Sequence, residues 1–347
     1  MFGPLPRLRT LEASVRDLAS QRAETRASAA SDLARHAADD GGVRGRALPL
    51  LEARLVDDDD GRVRAAAAVA LGDLKAREAL PRLLTAANDD DGYVRQMALN
   101  ALGEIGDARA LGHLTRALGD SRPEVRYQAV IAFARVAENG SDIDDAIVRA
   151  ANDADDAVVH IALRVAEERI DEGKGVGALV IAQAKALIEH ASLDVKLVAA
   201  IMLAKIGDRA GDAVILGVVR GGASNGRPPE KEDECAAVEV TGAIGMKEAV
   251  PALERRAWGI ASHFRDTCKF HAKIALARMG HARAKAEILH DLGSSRRDAL
   301  LSAVVAAGRA RLEEARGALL KLQGTSADPA LVRHALAELD SCKGHAS

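Results

Sequence analysis

The chain has 347 residues, of which 48% are hydrophobic but only 2% are aromatic. The hydrophobic residues are mainly Ala, Leu and Val, a mixture typical of closely packed helices rather than of long strands. The 48 Lys and Arg residues are balanced by 51 Asp and Glu residues, for a net charge of −3. This balance argues against nucleic-acid binding, which requires a surplus of cations to displace counterions.

The cysteine content and the hydropathy indicate the cellular compartment in which the protein is expected. The three cysteines, Cys235, Cys268 and Cys342, are widely spaced and odd in number, so they imply no disulfide framework and fit a reducing compartment. The longest apolar runs are far shorter than the roughly 20 residues that a membrane-spanning helix needs. The first residues lack the uninterrupted apolar core of a signal peptide. We therefore expect a soluble, cytoplasmic protein that does not insert into a membrane.

The first predicted elements are two helices within residues 8–37, the second from about Thr25 to His36. A repeated phrase follows: residues 57–74 read DDDDGRVRAAAAVALGDL and residues 88–105 read NDDDGYVRQMALNALGEI, with the second copy starting 31 residues after the first. A period of this size predicts stacked repeats rather than a closed globular core.

Each copy contains a helix that starts near one residue, taken as position zero, with apolar residues at +4, +7, +8 and +11. At about 100° per residue these offsets form the buried stripe of an amphipathic helix. The clear copies start at Val63, Val94, Val125, Val158 and Val195; weaker copies start at Asp233, Cys268, Ala299 and Val332.

A shorter first helix is predicted before most of these second helices: Ala47–Leu55, Ala79–Ala87, Ala110–Leu118, Ile143–Ala151, Gly177–His190, Ala249–Ala261, Ala282–Leu292 and Leu312–Gln323. One segment interrupts the pattern. Residues 221–233, GGASNGRPPEKED, contain glycines and a Pro-Pro pair that exclude a helix over most of their length. Because the helical pattern resumes beyond them, we interpret them as an insertion loop within one repeat.

Two copies share residues at matching positions: Asp58, Val63, Arg64 and Leu71-Gly72, then Asp89, Val94, Arg95 and Leu102-Gly103. This pattern resembles the HEAT-like repeat of the phycobilisome-lyase type. The resemblance implies an all-α fold, a right-handed α-α superhelix (solenoid) of about nine or ten antiparallel helix pairs. We expect a single solenoid over residues 1–347, with its clearest repeats at 47–207, the insertion at 221–233 and diverged repeats at 234–340.

The same resemblance implies a ladder of charged residues that links successive repeats. Its members are separated by six residues in each copy: Asp58 and Arg64, Asp89 and Arg95, Asp120 and Arg126. We interpret these arginines as structural links rather than as an anion site.

The resemblance also raises enzymatic alternatives. HEAT-like deoxyhypusine hydroxylases bind iron through His-Glu dipeptides, and none of the ten histidines here is followed by Glu. HEAT-type DNA-alkylation glycosylases use a basic, aromatic face, which the net charge and the single tryptophan, Trp258, argue against. For the bilin lyases, no residue of this chain can be assigned to chromophore transfer.

The densest group of possible metal ligands is His263, Asp266, Cys268 and His271. Cys268 and His271 lie three residues apart on one predicted helix and could share a ligand face. Cys268, however, occupies the buried position zero, where a free cysteine packs as a small hydrophobic residue. The sequence GKGVG at 173–177 follows no strand and has no Ser or Thr after its Lys, so it is a linker rather than a phosphate loop. We predict no metal, no cofactor and no catalytic residue.

The positions opposite the buried stripe, +2 and +6, are expected to face outward. Several hold large apolar residues that we predict to bind a partner on the concave face: Tyr127 and Ile131, Leu197 and Ile201, Phe270 and Ile274. Packing between repeats is the alternative use of these side chains. The preferred function is a non-catalytic scaffold or adaptor that holds a segment of a protein partner. An enzyme or lyase-type subunit, or a nucleic-acid-binding solenoid, remains as an alternative.

Overall fold

The computed structural model describes residues 9–138, 140–221, 228–259, 267–324 and 328–340. Within these ranges the regular elements are α-helices and short 3-10 turns, with no strand. The all-α fold predicted from the sequence is confirmed. The helices fall into two compact units, unit 1 (Met1–Gln183) and unit 2 (Ala184–Ser347), and each is described separately.

Unit 1 is formed by ten helices and the start of an eleventh within the described residues. They are α1 (Leu11–Asp17), α2 (Ala23–Ala37), α3 (Gly41–Asp57), α4 (Gly61–Asp73), α5 (Leu80–Ala86), α6 (Gly92–Ile105), α7 (Leu111–Ala117), α8 (Pro123–Val136), α9 (Gly140–Ala150), α10 (Asp156–Asp171) and α11 (Ala178–Leu187), which continues into unit 2.

The helices of unit 1 form two layers. The second helices α2, α4, α6, α8 and α10 pack successively on one another, and the first helices α3, α5, α7 and α9 each pack on the second helix that follows. The middle second helices α4, α6 and α8 are therefore covered on three sides, each by its own first helix and by the second helices before and after it.

Unit 2 repeats this arrangement with α12 (Leu193–Lys205), α13 (Asp212–Val219), α14 (Lys231–Ala243), α15 (Val250–Trp258), α16 (Lys269–Arg278), α17 (Ala282–Asp291), α18 (Arg297–Arg309), α19 (Arg316–Gln323) and α20 (Pro329–Asp340). Helix α13 was not predicted, because its sequence DAVILGVV is apolar on all sides and shows no helical period. Residues 222–227 of the predicted insertion lie outside the described residues, and residues 231–233 already belong to α14.

Glycine in the repeated Leu-Gly pair sets the separation of neighbouring second helices. A Cβ atom on Gly72 would lie 2.8 Å from the Cα atom of Ala101, and one on Gly103 would lie 3.0 Å from that of Ala132. These distances leave no room for any side chain. The backbones of α4, α6 and α8 can therefore approach closely only because glycine occupies these positions.

The acidic run before each second helix contains residues with separate roles. The Asp91 carboxylate is the N-cap of α6 and accepts a hydrogen bond from the Tyr93 N–H at 2.8 Å. The Asp89 carboxylate accepts one from the Asp91 N–H at 2.9 Å, which tightens the turn before the cap. Asp58 and Asp60 make the equivalent contacts before α4, at 3.1 and 2.9 Å. The run of aspartates thus caps the helix and also fixes the turn that precedes it.

A disulfide in unit 2 corrects one prediction from the sequence. Cys235 of α14 is bonded to Cys268, which directly precedes α16, with their Cα atoms 5.1 Å apart. The prediction of no disulfide is therefore wrong for these two cysteines. Their separation of 33 residues is about one repeat, so the stacking of repeats brings them together. This spacing could have predicted the pairing, but the odd number of cysteines argued against a disulfide. Cys342 lies outside the described residues.

Candidate protein-interaction surface

The charged ladder connects the repeats of unit 1. The guanidinium of Arg95 donates two hydrogen bonds to the Asp120 carboxylate, at 2.8 and 2.9 Å, and a third to the main-chain carbonyl of Asp89, at 2.8 Å. Within one repeat, the arginine thus binds only the main-chain carbonyl of the aspartate six residues before it. Its ion pair is made with the aspartate of the next repeat. The same geometry joins Arg64 to Asp89 and Arg126 to Asp153.

The ladder extends further toward the N-terminus than the motif indicated. Arg26 of the degenerate first repeat donates to the Asp58 carboxylate at 2.8 and 2.7 Å, and its side chain is about as buried as those of the later ladder arginines. Asp153 is the final acceptor. The carboxylates and main-chain carbonyls accept hydrogen bonds from these arginines, so the arginines link successive repeats.

Burial and hydrogen bonding oppose each other at the ladder carboxylates. At Asp58, Asp89 and Asp120, burial by itself raises the pKa, but the hydrogen bonds from the ladder arginines and from neighbouring main-chain N–H groups outweigh it. At Asp153 the hydrogen bond from Arg126 is the largest effect. The pKa of each of the four carboxyl groups is therefore lowered, and all four are charged at neutral pH.

The second helices of unit 1 leave one narrow face uncovered. Positions +5 and +9 are buried at Leu99 and Gly103 of α6, on which the second helices α4 and α8 pack. On this face the half-buried residues lie at +2, +3 and +6 of α6 and α10 and at +2 and +6 of α8, where position +3 is the buried Gln128. We call this surface the open strip; it consists of Gln96, Met97, Asn100, Tyr127, Ile131, His160, Ile161 and Arg164.

The six residues predicted to bind a partner are placed differently by the structure. Tyr127 and Ile131 are half-buried members of the open strip. Leu197, Ile201 and Ile274 are 0% exposed within the core of unit 2, so the expectation that they face outward is wrong. Phe270 is half-buried and packs against the same core. The +2 and +6 rule assumed one buried face per helix, whereas the flanking helices in unit 2 bury nearly the whole circumference.

Apolar and amide side chains dominate the middle of the open strip. Tyr127 and Ile131 lie one turn apart on α8, and the flanking helices α6 and α10 have the half-buried Met97 and Ile161 at position +3. The Tyr127 hydroxyl has no hydrogen-bond partner among the described residues. Met97 and Ile161 were missed from the sequence because they occupy position +3, which was not counted as outward-facing.

In unit 2 the corresponding face is charged. Glu239 of α14 accepts from His271 of α16 at 2.9 Å and lies 2.8 Å from the Arg309 guanidinium of α18. These side chains link three successive second helices. The surface therefore carries a hydrogen bond and an ion pair that share Glu239, and it differs in chemistry from the open strip.

The group of possible metal ligands is not assembled by the described residues. His263 and Asp266 lie outside the described residues. Cys268 forms the disulfide, and His271 is hydrogen-bonded to Glu239. Over the described ranges, no three His, Cys, Asp or Glu side chains are placed to hold a metal ion. No helix in these ranges combines the length and hydropathy needed to cross a membrane.

The stacked helix pairs define an all-α repeat protein, and the sequence identifies the repeat. Residues 12–93, 48–134 and 80–168 each match the family model of HEAT repeats. Residues 12–168 of the chain are therefore HEAT repeats, as the resemblance predicted. No curated protein matches the sequence.

Three solved structures illustrate the likeness. The Escherichia coli protein YibA has a TM-score of 0.56 at 16% identity, over 78% of this chain and 93% of that chain. Importin beta has a TM-score of 0.50 at 14% identity, over 95% of this chain and 51% of importin beta. The complex of CpcE and CpcF of phycocyanin lyase from Nostoc sp. PCC7120 has a TM-score of 0.44 at 20% identity, over 73% of this chain and 97% of that chain. At these identities the likeness concerns the fold alone.

Proposed function

We propose that this protein is a non-catalytic scaffold that holds a segment of a protein partner on the open strip of unit 1. The observation that carries the proposal is the half-buried apolar pair, Tyr127 and Ile131, together with a half-buried apolar residue at position +3 of each flanking second helix, Met97 and Ile161. A tyrosine with a free hydroxyl supplies apolar contact area and one directional hydrogen bond, the combination that dominates many interfaces.

The geometry of the strip favours an elongated partner. Its apolar centre lies on three consecutive helices, and amide and charged side chains border it, including Asn100 and Arg164. An extended or helical peptide can place apolar anchors on such a centre while its polar groups meet the borders. The second helices themselves are held by the ladder, so the strip is preorganised before binding.

The test replaces the two central residues. In the double variant Tyr127→Ala/Ile131→Ala, capture of the native partner should fall at least about tenfold, since each lost anchor costs about 1 kcal/mol or more. Helicity and melting should not change. The matched control is Tyr93→Ala, because Tyr93 is the other tyrosine of the chain, is 50% exposed and lies outside the strip. Unfolding of the double variant would show that the pair belongs to the core and would reject the proposal.

A metal assay separates the scaffold from the enzymatic alternative. The purified protein should contain no stoichiometric iron or zinc. Bound metal that is lost in the His271→Ala variant would support the enzyme instead, because His271 belongs to the ligand group considered from the sequence.

A further inference from the structure

The disulfide of unit 2 lies at a junction between two repeats. Cys235 and Cys268 join α14 to the start of α16, and their side chains are 6% and 0% exposed. One helical turn further along, Glu239 and His271 join the same two helices by a hydrogen bond of 2.9 Å. The disulfide is therefore one of two successive cross-links between the same pair of second helices.

This junction lacks the ladder that joins the repeats of unit 1. The ladder arginine follows position zero, but the equivalent residues here are Glu234 in α14 and Lys269 in α16. Glu234 instead pairs with Arg256 of α15, at 2.6 Å. Among the described residues, the bidentate Arg–Asp link is thus absent at the junction where the covalent link is present.

We propose that the Cys235–Cys268 disulfide is a redox-operated clamp that fastens consecutive repeats of unit 2. Opening it requires a dithiol reductant. One sulfur of the dithiol attacks a protein sulfur, forming a mixed disulfide and releasing one protein thiol; the second sulfur then releases the other and closes the disulfide of the reductant. Two electrons and two protons pass to the protein. A small-molecule disulfide reverses the exchange.

Reduction has a physical consequence because the bond closes a long loop. The cross-linked cysteines are 33 residues apart, and freeing them restores conformational entropy to the unfolded chain. The clamp therefore stabilises unit 2 when oxidised and loosens it when reduced. The ladder of unit 1 contains no sulfur, so unit 1 is insensitive to the same reductant.

Trp258 provides a selective probe of the change. It is the single tryptophan of the chain and lies on α15, whose neighbours in unit 2 include α16. Its indole N–H donates to the Glu287 carboxylate at 3.0 Å, and the Arg283 guanidinium lies 4.2 Å from its ring centre. Unfolding of unit 2 breaks these contacts and changes the fluorescence.

The experiment uses the full chain purified without reductant. Thiol titration in denaturant should find one free thiol per chain, that of Cys342, and three after dithiothreitol. On reduction, the melting midpoint reported by Trp258 fluorescence should fall by about 5–15 °C. Hydrogen exchange should accelerate in α14 and α16 but not in α4, α6 and α8. Three free thiols before reduction, or an unchanged Trp258 midpoint after it, would overturn the proposal.

Two variants complete the test. Cys235→Ala/Cys268→Ala should show the lower midpoint with or without dithiothreitol, whereas Cys342→Ala should keep the whole response of the wild type. If the double variant does not fold, the response of Cys342→Ala still decides: its absence would overturn the clamp, since this variant contains only the two bonded cysteines.

Discussion

Neighbouring aspartates of the acidic run before α6 differ in their surroundings. Asp89 has a side chain 15% exposed and accepts two hydrogen bonds from Arg64, at 2.9 and 2.7 Å. Asp90 is exposed, and its carboxylate has no hydrogen-bond partner among the described residues. The identical residue type therefore contributes to stability at one position and to little more than solubility at the next.

This difference can be measured with matched variants. Asp89→Asn leaves a partly buried arginine without its counter-charge and should lower the free energy of unfolding by about 2–4 kcal/mol. Asp90→Asn should change it by no more than about 0.5 kcal/mol. Urea unfolding followed by circular dichroism provides both values. Equal effects of the two substitutions would contradict the role assigned to the ladder.

At the scale of helices, glycine has opposite roles in the two layers of unit 1. On α4, Gly72 leaves the space that the backbone of Ala101 occupies. On α7, Gly112 is surface-exposed, and a Cβ atom added there would have no neighbour within 4 Å. The first glycine is required by helix packing, whereas packing does not require the second.

The same substitution should therefore have opposite effects at these positions. Gly72→Ala should destabilise the protein by about 1–3 kcal/mol, because α4 and α6 must separate to accommodate the methyl group. Gly112→Ala should stabilise it by about 0.5–1 kcal/mol, because alanine loses less conformational entropy in a helix. Thermal unfolding of the two variants tests the signs; a stabilising Gly72→Ala would refute the close approach of these helices.

At the scale of the whole chain, the repeats are joined by the Arg–Asp ladder in unit 1 and by a disulfide in unit 2. In unit 1 the pKa values of Asp58, Asp89, Asp120 and Asp153 are lowered, since the arginine hydrogen bonds outweigh burial. An unfolded aspartate has a pKa of about 3.9. A lowered pKa in the folded state means that the stabilisation is complete above that value and is lost as pH falls through the folded pKa.

We therefore expect acid to weaken unit 1 through its ladder. The protection factors of the amide hydrogens in α4, α6 and α8, which compare the measured exchange rate with the intrinsic rate at the same pH, should fall as the pH drops below about 4. The variant Asp89→Asn, which lacks one titrating carboxylate of the ladder, should show a smaller dependence on pH than the wild type. An identical pH dependence in both proteins would show that the ladder is not the source.

Individual residues show which burial predictions could be made correctly from the sequence and which could not. Val63, Val94 and Val125 mark buried helices because one period places the whole apolar stripe against the first-helix layer. The same helical period predicted wrongly that Leu197, Ile201 and Ile274 face outward, because it contains no information about the helices that pack on either side. It missed α13 for a different reason: after Asp212 the segment contains only apolar residues and one glycine, so it has no amphipathic period to detect.

The sequence by itself determined the repeat, the all-α fold and the six central residues of the ladder, from Asp58 to Arg126, because these follow from periodicity within a single chain segment and from a motif copied along it. Only the tertiary structure decided which outward positions stay open, that each arginine binds the aspartate of the next repeat, and that Cys235 meets Cys268. Each of these depends on how one helix pair stacks on another, and that distance and rotation are set by packing between segments rather than by the pattern within either one.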